Sequence, residues 1–343
     1  MNHFLEICED SCWFPSEIDT KRKSLGFVRT NRSDVSSAPF LDERFTQDRS
    51  DVRLVPIDDV QSTLAQSGTD DKAAFIFHSA FCCSTLLASV LDRPGKVLSL
   101  KEPGVLMSLA NVRRTEPDLR RSDHQFQGLA NTVLALLARR FSAGESVLIK
   151  PTNAANILLE PVLSSGARIL LLYSDLPGFL VSVIKKGEAG RYFMRHLLNI
   201  FRLDRPDIDA WPERQRMLLT DLQVAALVWN IQMELFEAVV LAAKEEQVRT
   251  LHADAFLDNT LSTLTRTQKF LGLGYGDDEI VDIANDEQFR RHSKFSTQDY
   301  DSSVRKAERA AVEEQYSEEI ATTIEWAIKL RNDVPPSRLG HSI

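Results

Sequence analysis

Ala73-Ala74-Phe75-Ile76-Phe77-His78-Ser79-Ala80-Phe81-Cys82-Cys83-Ser84-Thr85-Leu86-Leu87 is the stretch on which the fold turns. Residues 73–78 form an apolar run of strand length. Residues 79–85 are small apart from Phe81. From there Leu86, Leu87, Val90 and Leu91 recur at helical spacing, and Pro94-Gly95 stops the helix. The order is strand, small-residue loop, helix.

That order repeats downstream. Lys96–Leu100 reads as a strand ending at Lys101-Glu102-Pro103, with a helix from about Gln125 to Phe141. Ser146–Ile149 reads as a strand ending at Lys150-Pro151, with a helix from about Ala154 to Leu163. Arg168–Tyr173 is the most apolar strand; it ends at Ser174-Asp175, and a helix runs to about Lys185. Val248–His252 is a further strand, followed by a helix through Leu271. Short apolar strands alternating with helices predict an α/β fold: a parallel sheet of about five strands covered on both faces.

Around this core, residues 1–70 show no sustained periodicity and read as an N-terminal extension that partly packs on the core. The core spans 71–275 and includes a helical insertion at 186–246. Within it, residues 186–213 are rich in Arg, His and Phe and read as an insertion or lid. Arg214 to about Glu246 is a long helical stretch whose Leu218, Leu222, Ala225, Ala226, Trp229, Met233 and Phe236 form a candidate buried stripe. Residues 276–343 form a C-terminal helical region, with one amphipathic helix from about Asp301 to Arg331 that packs on its own core or on a partner.

Composition narrows the function classes. The 343 residues are 43% apolar and 26% charged, as in ordinary globular chains. Lys and Arg total 41 against 49 acidic residues, a net charge of −8. That balance argues against a nucleic-acid partner and leaves room for a local anion pocket. Mean hydropathy is −0.20. No run of 18 apolar residues is present, so no membrane span is expected, and the first residues lack the pattern of a secretory signal. The four cysteines, Cys8, Cys12, Cys82 and Cys83, form no CxxC pair and read as reduced thiols of a cytoplasmic protein. No acidic or Cys/His cluster suggests a metal.

Ligands of open parallel sheets bind beyond the carboxyl ends of strands, which singles out the loop after the first of them. It does not fit G-x-x-x-x-G-K-[ST]: no Gly lies between Phe77 and Leu86, and there is no Lys. An ATPase or kinase is disfavoured. The remaining readings are a packed turn without ligand, or a cradle for a different phosphate.

At these residues the chain resembles sulfotransferases that use 3′-phosphoadenosine 5′-phosphosulfate (PAPS), most closely the bacterial and tyrosylprotein-type branch. Phe81-Cys82-Cys83-Ser84-Thr85-Leu86-Leu87 is similar to that family's first motif, [KR]-S-G-[ST]-T-x-[LM], which holds the donor's 5′ end. Glu102 falls where the branch carries a catalytic Glu, and Lys150 where it has a Lys near the transferred group. Ser174-Asp175-Leu176-Pro177-Gly178-Phe179-Leu180-Val181-Ser182 is similar to the third motif, R-D-x-x-x-x-x-x-S, which contacts the 3′-phosphate. Residues 251–257 and 270–273 are similar to its late strand and helix, with an echo at His292-Ser293-Lys294. The resemblance spans about residues 73–275. It implies a three-layer fold of the P-loop type with an extra helical region, PAPS as co-substrate, no metal, and a small-molecule or peptide acceptor. It also implies a donor site at Phe81, Cys82, Cys83, Ser84, Thr85, Leu86, Ser174, Ser182 and Lys294.

Three departures stand out. Phe81 replaces a basic residue, Cys83 replaces Gly, and Ser174 replaces Arg. Losing a guanidinium–phosphate contact costs about 1.5–3 kcal/mol. Lys294, Lys185, Arg191 and Arg195 are candidate replacements. These departures keep two alternatives open: a sulfotransferase-like binding protein without the chemistry, or an enzyme for a nucleotide without a 3′-phosphate.

Sulfuryl transfer needs a base for the acceptor proton, a cation for the oxygens around sulfur, and donors that hold the phosphate. Glu102 is the expected base, against simple pairing with Lys101 or capping of a turn. Lys150 is the expected cation, against a surface lysine. Ser84 and Thr85 are the expected phosphate donors, against helix capping. His78 and His252 read as structural, with His78 a lesser candidate base. Cys82 and Cys83 either fit a tight loop or supply a reactive thiolate. Phe193, Phe201, Trp211 and Trp229 are candidate acceptor contacts, with core packing the stronger reading for Trp229.

Overall fold

Each of the segments read as parallel strands is a strand in the computed structural model. It describes residues 3–47, 51–67, 72–116, 123–289, 291–292, 295–299, 302–331 and 339–343. Strands are numbered β1 (Trp13–Asp19), β2 (Ser24–Arg29), β3 (Val52–Pro56), β4 (Ala74–His78), β5 (Val97–Lys101), β6 (Ser146–Lys150), β7 (Ile169–Tyr173) and β8 (Val248–His252). The helices used below are α1 (Ser84–Val90), α2 (Gly104–Thr115), α3 (Asp123–Leu137), α4 (Leu176–Lys185), α5 (Gly187–Phe201), α6 (Asp221–Ala242), α7 (Thr260–Leu271), α8 (Ser302–Gln315) and α9 (Ser317–Leu330).

The main sheet has the order β5-β6-β4-β7-β8. β5 pairs with β6 in parallel from Val97↔Ser146 to Lys101↔Lys150, and β4 with β6 at Ala74↔Leu148. Phe75 N–H donates to Arg168 O and Ser79 N–H to Leu172 O. Both partners advance by four residues, as parallel strands require. Every residue of β4, β5 and β7 is buried, which explains their unbroken apolar runs. From β4 the chain leaves toward β5, and from β7 toward β8, in opposite directions. The topological switch point therefore lies between the carboxyl ends of β4 and β7, where such sheets bind ligands.

The chain divides into two compact units. The first holds Met1–Phe77, Leu87–Leu170 and Thr265–Ile283; the second holds His78–Leu86, Leu171–Leu264 and Ala284–Ile343.

In the first unit, residues 1–70 are not irregular. They contain the antiparallel sheet β1-β2-β3. Its signal is hidden in the sequence because β1 shifts register between Pro15 and Glu17, breaking the alternation, and β3 is mostly exposed. Arg139, at the end of α3, gathers this segment. Its Nη1 donates to the carbonyls of Ile7, Cys8 and Asp10, each at 3.0 Å, and burial lowers its pKa to about 10. Arg32 bonds Glu145 at 2.7 Å and Asp92 at 2.6 Å, a second long-range tie. The helix expected over 154–163 begins instead as a 3-10 turn, Asn153–Leu158.

In the second unit α6 is the central helix. Thr220 and Gln223 cap it reciprocally, and Ala225, Val228, Trp229 and Phe236 are fully or almost fully buried; Leu218, expected in the same stripe, precedes the cap and is 71% exposed. Among the described residues, α6 is the one helix long and apolar enough to cross a membrane, although no strictly apolar run marks it in the sequence. Of its most apolar 18 residues, 72% are buried inside the protein, as in a core helix. Residues 186–213 are mostly helical, led by α5. The single helix expected over 301–331 is two helices, α8 and α9. They break at Tyr316, whose backbone leaves helical geometry without a Gly or Pro to announce it.

Candidate active site

The loop after β4, in the second unit, concentrates unusual backbone. Ala80, Phe81 and Cys83 have φ of 71°, 51° and 64°. These are left-handed conformations that ordinarily favour glycine, and each costs of order 1–3 kcal/mol in another residue. Cys83, where the resembling motif has Gly, thus holds a backbone conformation that Gly would favour. Successive N–H groups around such left-handed residues form concave anion cradles.

Side chains lock this loop from inside. Cys82 is fully buried, and its thiol donates to Leu172 O at 3.3 Å, so it fits the tight-loop reading rather than an accessible thiolate. His78 is buried, and its Nδ1 accepts from Ala80 N–H at 3.2 Å, a structural role. Gln232 of α6 donates to Ser79 O. The Phe81 ring packs on Phe179 and Phe193, with centroids 5.7 and 6.1 Å away. At the position expected to be basic, Phe81 therefore supplies packing. Ser84 is buried at the start of α1, Thr85 and Cys83 are half-buried, and Leu86 is buried. The four cysteines form no disulfide.

β7 ends beside this unit's other expected donor residues. Ser174 is buried, and its carbonyl accepts from Trp229 Nε1 at 2.9 Å. Trp229 is thereby a core residue that holds this strand end, and Phe201 is likewise buried. Asp175 caps α4 through Gly178 N–H. Ser182 spends its hydroxyl on Gly178 O at 2.8 Å, within its own helix. Asp175, His252 and Asp254 bring potential metal-ligand atoms within 4.8 Å of one another, a cluster the sequence spacing did not suggest. The His252 ring sits between two backbone N–H groups, those of Asp175 and Asp254, each at 3.2 Å.

The cation at this cluster is Arg309 of α8, absent from the sequence-based candidates. It meets Asp254 at 3.2 Å, Asp175 at 3.8 Å and Glu313 at 2.7 Å. It lies 131 residues beyond Gly178, whose neighbourhood it enters, and no motif marks it. The other proposed replacements have different partners. Lys185 pairs with Glu308 at 2.5 Å, and Arg195 and Arg191 meet Asp221 at 2.7 and 3.7 Å. Lys294 lies outside the described residues.

The first unit carries the two residues expected to do chemistry. Lys150, at the end of β6, is fully buried, not a surface lysine, and its Nζ lies 2.5 Å from Glu102 Oε1. Glu102 N–H donates to Lys150 O at 2.6 Å, and Glu102 has φ 56°. The Phe40 ring lies 5.8 Å from Nζ. The alternative, a simple pair of Glu102 with Lys101, does not form: Lys101 is buried and donates to Ser36 O at 2.8 Å. Burial depresses the Lys101 pKa, partly opposed by Asp92. A half-buried carboxylate beside a buried ammonium, both at strand ends, is chemically a proton acceptor next to an oxyanion partner.

No protein-family model matches the chain, and no curated protein sequence matches it. Solved structures similar to it are sulfotransferase domains. The sulfotransferase domain from the curacin biosynthetic pathway is 15% identical, covering 72% of this chain and 97% of its own at a TM-score of 0.41. The sulfotransferase domain of the Synechococcus PCC 7002 olefin synthase is 15% identical, covering 78% and 98% at 0.40. Mouse sulfotransferase SULT7A1, complexed with PAP, is 11% identical, covering 80% and 94% at 0.33.

Proposed function

We propose that the protein is a sulfotransferase-like enzyme that transfers a sulfuryl group from PAPS to a hydroxyl or amine of a small molecule or peptide. The observation that carries this reading is the loop Ser79–Cys83, which keeps left-handed backbone at three residues that are not glycine. Strain of that kind persists where the surrounding structure enforces it, and it clusters at ligand-binding sites.

In this reading the backbone N–H groups of the loop, with Ser84 and Thr85, hold the donor's 5′ phosphosulfate. Glu102 accepts the proton of the attacking hydroxyl or amine. That acceptor atom forms the new bond to sulfur as the bond from sulfur to the bridging phosphate oxygen breaks. Lys150 is the cation assigned to the negative charge growing on the departing oxygens. 3′-Phosphoadenosine 5′-phosphate (PAP) is released. No metal enters this scheme, no nucleic-acid partner is involved, and the cytoplasmic setting expected from reduced thiols belongs to the same proposal.

One observation favours a second reading. Three carboxylates, Asp175, Asp254 and Glu313, surround the single guanidinium of Arg309. That balance favours a nucleotide without a 3′-phosphate. Calorimetric titration with PAP, AMP and ATP separates the two. Micromolar binding selective for PAP, followed by transfer of labelled sulfate from PAPS in an acceptor screen, supports the first. Equal binding of AMP, or no binding of PAP, withdraws it.

A further inference from the structure

Two adjoining cavities in the second unit have no part in sulfuryl transfer as proposed. The first, of about 630 Å³, lies between the last turn of α4, the first turn of α6 and the first turns of α9. The second, of about 480 Å³, is lined by Trp211, Leu218, Trp326 and Leu330 among others. Gln223 lines both, so they meet at that side chain, and the pair is called the trough. Along α9, Glu318, Thr322, Trp326 and Leu330 recur every four residues and run along its length.

The trough is polarised. At one end Asp221 is already met by Arg195 and Arg191. Glu318 and Glu319 are exposed and have no basic partner among the described residues. They sit in the first turn of α9, whose dipole offsets only about half a unit charge. Asp221, Glu318 and Glu319 against Arg191 and Arg195 leave a net charge of −1 at this end before the dipole is counted, with the carboxylates of Glu318 and Glu319 beside the half-buried ring of Tyr316. The other end is apolar: Trp211 and Trp326 are half-buried, and Leu218 is 71% exposed. Such volumes suit small molecules, and a concave site with an apolar body and a few placed charges is how they are held.

We propose that this trough binds a small amphipathic organic cation. Its aromatic or alkyl body lies on Trp211 and Trp326, and its ammonium group meets Glu318 and Glu319 beside Tyr316. Aromatic faces and carboxylates both attract an ammonium group, and both repel a carboxylate of the same shape. The ten residues of α4 span about 15 Å, with Asp175 at the opposite end from the trough. The proposal does not depend on PAPS.

The test compares 4-phenylbutylamine with 4-phenylbutyrate on the full-length protein, by calorimetry and by tryptophan fluorescence. The amine is expected to bind saturably, at least tenfold tighter than the carboxylate. Binding weakens at high salt and falls at least fivefold in the double variant Glu318→Gln, Glu319→Gln. Trp326→Phe removes most of the fluorescence change. Unsaturable binding of the amine, equal binding of both probes, or no effect of the double variant overturns the proposal. The amine-versus-carboxylate comparison needs no variant, so loss of folding in a variant leaves it decisive. A parallel PAP titration keeps this outcome separate from the fate of the sulfuryl-transfer reading.

Discussion

Lys150 Nζ lies 2.5 Å from Glu102 Oε1, and Glu102 N–H bonds the Lys150 carbonyl at 2.6 Å. One residue thus holds the other by side chain and by backbone, across two adjacent strand ends. The lysine is fully buried while the carboxylate keeps 21% of its side-chain surface exposed. Desolvation therefore falls mainly on the ammonium, and the carboxylate is what makes its burial tolerable.

The two halves of this pair should respond differently to mutation. Glu102→Gln leaves an uncompensated buried charge and should cost about 3–5 kcal/mol in chemical denaturation. Lys150→Met keeps the apolar volume and leaves a carboxylate that water reaches, so its stability loss should be clearly smaller. Both variants should lower sulfuryl transfer at least a hundredfold. Equal stability losses would show that the burial asymmetry does not govern the pair.

At Cys83, φ of 64° sets the order of substitutions. Cys83→Gly relieves left-handed strain but adds unfolded-state entropy, two effects of about 1 kcal/mol each. Its melting temperature should stay near that of the native chain, and PAP affinity should be retained. Cys83→Val places a β-branched residue in the same conformation and should melt clearly lower. A valine variant as stable as the glycine variant refutes the strain argument.

Arg309 is the guanidinium that the fold brings to the end of β7. If it meets a 3′-phosphate, Arg309→Gln should lower the preference for PAP over AMP about tenfold or more, the worth of one charged hydrogen bond. AMP affinity itself should change little. An unchanged preference measured by calorimetry assigns Arg309 to the acidic cluster alone.

Lys101 supplies a pH signature. Burial holds its folded pKa below the ordinary 10.5, so between those two values the unfolded chain binds more protons than the folded one. Stability from this group therefore rises with pH across that window, and the cost of burying the charge is fully present below it. Denaturation of wild type and Lys101→Met over neutral to alkaline pH should show the wild type gaining on the variant as pH climbs. A constant or widening deficit contradicts the assigned direction.

Much of the fold was legible in the residues themselves. Phe75-Ile76-Phe77 and Leu170-Leu171-Leu172 are fully or nearly fully buried. Strands covered on both faces must be apolar at every position, and that leaves a run that can be read directly. The loop at 79–83 was found the same way, by its place after such a run. The N-terminal sheet was missed because a register shift and an exposed edge strand erase alternation. The break at Tyr316 was missed because no residue there forbids a helix.

Which segments lie in the sheet, and which loops follow their carboxyl ends, can be read from local composition, because burial on two faces constrains it. Only the tertiary structure decided that Glu102 pairs with Lys150 rather than Lys101. It alone brought Arg309 to Asp175 and Asp254, and placed Trp211 and Trp326 on one cavity. These are contacts between residues far apart in the chain. They follow from how strands order and helices pack, and no local period in the sequence encodes which distant side chain will arrive.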